Sequence, residues 1–240
     1  MPTAAPSRPK QASARSSRVA EIEAPGWQER VAFYGANGSG KTVLCAQMAA
    51  GYPRVVVLDV KGDWPIPWEK GTYNIVRKPT GVVWSPLPYN RIVYRPSREF
   101  RTPDWLAWWL GEQFQRAVRE GKKRPFLLII DETLYVSNQG CKAPLADLAV
   151  TGRSLGVAFW YVSQRPKNIP VELRSEAWRS YIFYLESRAD RKEIEDNTGG
   201  SISEEDMIQS AADFSFWEVR RGRGGAKTVR HLPPVTPTHL

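Results

Sequence analysis

Short unbroken apolar runs alternate with amphipathic stretches along the chain, and this alternation is its first structural signal. "RVAFYG" at 30–35 and "RVVVLDV" at 54–60 read as strands. The second is apolar for most of its length, as a parallel strand covered on both faces must be. "RIVYRP", "PFLLIIDE", "VAFWYVSQ" and "SYIFYLE" follow as further strands. Between them, "KTVLCAQMAA" predicts a helix that stops at Gly51, and "PLADLAVTGRSLG" and "DRKEIED" predict two more. "DWLAWWLGEQFQRAV", 104–118, is opened by Pro103-Asp104 and predicts an amphipathic helix. It places Trp105, Trp109 and Val118 near one face with Leu106, Leu110 and Phe114 beside them, and those two tryptophans are expected in the core. "FSFWEVRRGRGGAKTVRHL" reads as a β-hairpin turned at Gly224-Gly225. Strand and helix alternate from 30 to 197, which predicts an α/β fold with a mostly parallel sheet and helices on both faces. Residues 61–90, crowded with Pro and Trp, give no clear pattern, and there are no internal repeats.

The 240 residues suit one α/β domain, and 42 % hydrophobic with 25 % charged residues fits a soluble globular class. No apolar run reaches 18 residues, so no transmembrane segment is expected. The opening "MPTAAPSRPKQASARSSR" lacks the apolar centre of a signal peptide. The expected organisation is a disordered basic tail at 1–24, one domain at 25–220 and a basic hairpin or tail at 221–240. Cys45 and Cys141 have no metal-ligand spacing, so reduced thiols and no zinc are expected. The net charge of +9 is carried by the ends: +4 within 1–20 and +5 within 220–240, with the 199 residues between them neutral. Such ends serve solubility or hold a polyanion.

"GANGSGKT" fits G-x-x-x-x-G-K-[ST] at Gly35, Ala36, Asn37, Gly38, Ser39, Gly40, Lys41 and Thr42, between a strand and a helix. The glycines let backbone N–H groups turn inward around phosphate oxygens, and the helix N-terminus adds positive charge. In this motif Lys41 bridges the outer phosphates of ATP and the Thr42 hydroxyl coordinates Mg²⁺. Asp131 ends the apolar run "FLLII" at the carboxyl edge of a parallel sheet, where ligands bind, and is placed to hold Mg²⁺ opposite Thr42. Glu132 follows. A kinase brings its own acceptor hydroxyl, whereas a hydrolase must activate water, a task that suits a carboxylate beside the metal. "GVAFWYVSQ" ends abruptly in Ser163-Gln164. If that strand lies between the phosphate-loop strand and the Asp131 strand, the Gln164 amide points at the γ-phosphate.

"TGRSLGVAFWYVSQRPKNIPVELRS", 151–175, resembles the signature of the FtsK–HerA superfamily of DNA-pumping ATPases, and "VVVLDVKGDW" resembles the strand after the phosphate loop in relatives that move DNA in conjugation. The resemblance covers roughly 30–190 and implies a RecA-like (ASCE) P-loop NTPase. It implies Lys41 and Thr42 on nucleotide and metal, Asp131 and Glu132 as the acidic pair, Gln164 as sensor, and Arg153 as an arginine finger reaching a neighbouring subunit. On its own residues, Arg153 reads as a cation favoured at a helix C-terminus. A bare ATPase core of this size is most similar to the genome-packaging ATPases of tailless icosahedral viruses with internal membranes. That implies an ATP-driven, Mg²⁺-dependent ring, hexamer or pentamer, acting on double-stranded DNA with capsid or portal vertex proteins, in the virion or host cytoplasm. The alternatives are a cellular or plasmid DNA-transfer ATPase of the same superfamily, a filamentous-phage-type assembly ATPase, which usually carries a membrane span, and a small-molecule kinase, which Glu132 disfavours.

Overall fold

The computed structural model describes residue 23 and residues 25–26, 29–65, 73–78 and 90–235. The described strands are β1 (Val31–Tyr34), β2 (Arg54–Leu58), β3 (Asn74–Val76), β4 (Asn90–Tyr94), β5 (Phe126–Ile130), β6 (Val157–Ser163), β7 (Arg179–Ile182), β8 (Phe216–Arg221) and β9 (Lys227–Leu232). They form one nine-stranded sheet in the order β3-β4-β2-β5-β6-β1-β7-β8-β9. Pairing is parallel from β3 to β7 and antiparallel between β7, β8 and β9, so the C-terminal hairpin extends the sheet. The fold is that of a P-loop NTPase. The strand ending in Ser163-Gln164 does lie between the phosphate-loop strand and the Asp131 strand: Tyr34 is level with Ser163, and Ile130 with Tyr161.

The described α-helices are α1 (Lys41–Ala49), α2 (Pro103–Arg116), α3 (Thr133–Val136), α4 (Lys142–Thr151), α5 (Val171–Glu176), α6 (Arg188–Thr198) and α7 (Glu204–Asp213). Strand side chains alternate between faces, and both faces are covered. Val31 and Phe33 of β1 pack with Leu44, Cys45 and Met48 of α1. Ala32 and Tyr34 belong to the opposite core with Leu106, Trp109 and Leu110 of α2 and Leu145 and Leu148 of α4. This is why β2, β5 and β6 read as unbroken apolar runs.

Helix α2 departs from its expected facing. Leu106, Trp109, Leu110 and Gln113 form its buried face at i, i+3, i+4 and i+7 spacing, whereas Trp105 is 39 % exposed and Val118 is also exposed. Trp105 packs edge-on against Phe100 and Trp108 instead of entering the core. Only one of the two expected core tryptophans, Trp109, is therefore inside. Within 61–90, β3 and the first residue of β4 belong to the edge of the sheet, while 66–72 and 79–89 lie outside the described residues, as do residues 1–22 and 24 of the expected basic tail. In the C-terminal segment, Arg220 and Arg230 pair with the buried Glu218 at 3.0 and 3.3 Å, so part of the positive charge there is balanced inside the fold.

Candidate active site

The sequence places Gly35–Thr42 between a buried strand and a helix because β1 cannot continue past Tyr34 once glycines replace apolar residues. The Gly35 N–H donates to the Ser163 carbonyl at 3.2 Å and the Ala36 N–H to the Tyr184 carbonyl at 2.8 Å, which ties the loop to its flanking strands. A Cβ on Gly35 would lie 2.5 Å from Ser39 Oγ and 2.7 Å from the Phe183 Cβ, so no larger residue fits there. Gly40 caps α1 with φ 96°, a left-handed conformation that L side chains rarely adopt. Phe183, beneath the loop, stacks on Phe216 at 4.7 Å.

A cavity of about 260 Å³ opens over this loop, lined among others by Asn37, Lys41, Thr42, Lys61, Asp131 and Glu132. Lys41 is buried and folds back to donate to the Ala36 carbonyl at 3.2 Å. Burial holds its ammonium below the usual lysine range, while Glu132 and Asp131 pull it up. Asp131 sits at the carboxyl edge of the sheet, and its N–H donates to the Leu58 carbonyl at 3.0 Å. Its Oδ1 is buried with no hydrogen-bond partner among the described residues. Burial, and after it the charges of Glu132, Asp59 and Asp63, push the Asp131 carboxyl up to about 7, against the pull of Lys41.

Glu132 adopts φ 55° and ψ 51°, left-handed backbone that costs a non-glycine residue on the order of 1 kcal/mol. Such outliers gather where a side chain must be aimed. Here Glu132 Oε1 receives two donors, Lys61 Nζ at 2.5 Å and Gln164 Nε2 at 2.9 Å. The segment after Gln164 is anchored by the buried Asp190, which accepts from Arg165 Nε at 3.0 Å and from the Lys167 N–H at 3.1 Å.

Lys61 and Asp63 were not singled out as site residues by sequence reading. Their signal was present: Asp59, Lys61 and Asp63 follow the apolar run of β2, and β2 pairs with β5, so charges there must end beside Asp131. One carboxylate oxygen each from Asp59, Asp63 and Asp131 lie within 4.8 Å of one another. Asp59 is already committed to structure, accepting from the Gly62 N–H at 2.6 Å, the Trp64 N–H at 3.2 Å and Arg95 Nε at 2.8 Å.

Arg153 is not in this group. It lies in a single 3₁₀ turn, Gly152–Leu155, before β6, at the opposite end of that strand from Gln164. Its guanidinium sits over the Trp178 ring, 5.9 Å from the centroid. A larger cavity of about 370 Å³ borders Trp178 between α5, α6 and β7 and is lined by none of Lys41, Thr42, Lys61, Asp131, Glu132 and Gln164.

Fold and site together define a P-loop NTPase architecture, and comparison with solved structures agrees. The genome packaging NTPase B204 from Sulfolobus turreted icosahedral virus 2, in complex with AMPPCP, is similar with a TM-score of 0.63 and 16 % identity, over 88 % of this chain and 100 % of that one. The cytoplasmic domain of the type VII secretion ATPase EccC from Thermomonospora curvata has a TM-score of 0.56 and 14 % identity, over 88 % of this chain and 26 % of that one. EssC (ATPases 2 and 3) from Geobacillus thermodenitrificans has a TM-score of 0.55 and 12 % identity, over 87 % of this chain and 40 % of that one. No protein-family model matches the sequence, and no curated protein matches it. No described helix is long and apolar enough to cross a membrane.

Proposed function

We propose that the chain is a Mg²⁺-dependent ATP hydrolase of the FtsK–HerA type that works as a homo-oligomeric ring and drives double-stranded DNA into a viral capsid. One observation carries the reading. A phosphate loop, a buried acidic pair and a strand-terminal amide converge on one edge of a parallel sheet, with the amide already bonded to the second acid. The similarity to B204, which spans all of that packaging NTPase, supports it at the level of the fold. On this reading its partners are double-stranded DNA, further copies of itself and capsid or portal vertex proteins.

The donor set fits a hard divalent cation, because Asp131 offers a buried oxygen that nothing else satisfies and Thr42 offers a hydroxyl across the same cavity. Thr42 and Asp131 would hold Mg²⁺, which neutralises charge between phosphate oxygens when bound. Lys41 exchanges the Ala36 carbonyl for the outer phosphate oxygens of ATP. Glu132 takes the proton of the attacking water. Its two donors both bond Oε1, and Oε2 is the oxygen assigned to that task. Gln164 shares its amide between Glu132 and the γ-phosphate and so registers whether the phosphate is present. Arg153 lies too far along β6 to reach the nucleotide of its own subunit and serves a neighbour.

The testing experiment is turnover of ATP with linear duplex DNA, with nucleosides and with neither. Stimulation by duplex alone supports the translocase. Phosphorylation of a nucleoside would identify a kinase and overturn the proposal.

A further inference from the structure

From the last residue of α2 to the approach to β5 the chain carries five cations, Arg116, Arg119, Lys122, Lys123 and Arg124, against the single acid Glu120, a net charge of +4 within nine residues of a core that is neutral as a whole. It closes as one wide helical turn, Ala117–Gly121, and then enters β5. Arg119, Lys122, Lys123 and Arg124 are exposed. Among the described residues no carboxylate pairs with Arg119, Lys122 or Lys123. Arg124 reaches Glu120 only at 3.8 Å, a surface contact of little energy. Arg54, at the start of the neighbouring strand β2, borders the same shallow depression as Arg116 and Arg124 and widens the basic surface.

This loop is packed closely against its neighbour. Gly121 is buried against the turn that carries Arg153: a Cβ on Gly121 would lie 2.0 Å from the Leu155 carbonyl oxygen, and one on Gly156 would lie 2.3 Å from the Gly121 carbonyl oxygen. The Phe126 N–H donates to the Gly156 carbonyl at 3.2 Å and closes the junction. The cations are therefore displayed on a fixed frame, backbone to backbone with the Arg153 turn. In contrast, the C-terminal cations Arg220 and Arg230 are paired with Glu218.

We propose that Arg119, Lys122, Lys123 and Arg124 form a contact surface for the phosphate backbone of double-stranded DNA, at the edge of the sheet opposite the phosphate loop. The proposal rests on the translocase reading and adds the surface. Four exposed cations with one weakly paired acid are complementary in charge to a phosphate backbone, and such contacts make no demand on base sequence. DNA held there bears on the same rigid body that presents Arg153.

The test uses the full chain and its Lys122→Ala/Lys123→Ala variant, with binding of an unrelated-sequence duplex measured from 50 to 200 mM salt. Each lost phosphate contact lowers the slope of log affinity against log salt by about 0.9. The expected result is a slope smaller by about two and an affinity roughly 10- to 100-fold weaker near 100 mM salt, with DNA-free ATP turnover unchanged. Lys122→Arg/Lys123→Arg should bind as the parent does. If the parent binds duplex and the Ala variant keeps its slope, the surface lies elsewhere while the translocase reading stands. If the parent binds no duplex at all, that reading falls and the surface falls with it. Loss of binding to polyglutamate without loss of duplex binding would assign the loop to an acidic protein and overturn the proposal.

Discussion

Lys61 Nζ lies 2.5 Å from Glu132 Oε1, the same oxygen that accepts the Gln164 amide at 2.9 Å. The candidate base is thus clamped from two sides by residues of two different strand ends. Lys61→Ala should lower kcat about 10- to 100-fold, the usual cost of a misplaced catalytic group, and leave the KM for ATP within about threefold. Lys61→Arg should restore much of the rate. A KM that rises in step with the loss of kcat would mean that Lys61 grips phosphate and does not orient Glu132.

Lys41 is buried, yet it faces the cavity over the phosphate loop. Lys41→Ala should abolish ATP hydrolysis and nucleotide binding while leaving the thermal midpoint near that of the parent. Glu132→Gln should still bind ATP and turn over about 10²- to 10⁴-fold more slowly, as removal of a general base does. Parent-rate turnover by Glu132→Gln in a single-turnover assay would remove Glu132 from the role of base.

The position of Arg153 beyond the far end of β6 makes its contribution separable from that of its own phosphate loop. Arg153→Ala should slow hydrolysis about 10³- to 10⁵-fold, as loss of an arginine finger does, without weakening ATP binding. Mixing Arg153→Ala with Lys41→Ala should return part of the activity, because a mixed interface pairs an intact phosphate loop with an intact arginine. No recovery in a mixture shown to co-assemble would end the claim that Arg153 acts between subunits.

Gly156 combines a left-handed φ of 82° with backbone contact to Gly121. Gly156→Ala should destabilise the fold by about 2–3 kcal/mol, in the range of overpacked or strained sites, and lower the midpoint by several degrees in a thermal melt. A midpoint within one degree of the parent would show that the junction can open at no cost.

Much of the fold was legible because unbroken apolar runs such as "FLLII" and "VAFWYVS" admit few readings other than covered parallel strands. The placement of Gln164 could be argued before any coordinates, since a run that is apolar throughout and then ends in two polar residues points them at the edge where ligands bind. The facing of α2 was misjudged because Trp105 and Trp109 look alike in sequence, and only the i, i+3, i+4, i+7 series from Leu106 tells them apart. Helix α7 went unread although its start is marked by Ser203 and Asp206, whose side chains bond reciprocally in a capping box. Lys61 was unread as a site residue because its partner is 71 residues away. Only strand order brings the two together, and strand order is not written locally.

Strand β6 runs for seven residues between Arg153's turn and Gln164. At about 3.3 Å per residue, it spans roughly 23 Å of fully buried backbone. On the proposed reading, in a closed ring, such a strand would be a shaft with a different subunit's nucleotide at each end. A shift of Gln164 on loss of phosphate from one site would then be delivered through the shaft as a shift of the arginine at the next. The firing order of the ring would then be set by the stiffness of one strand, with no separate timing element.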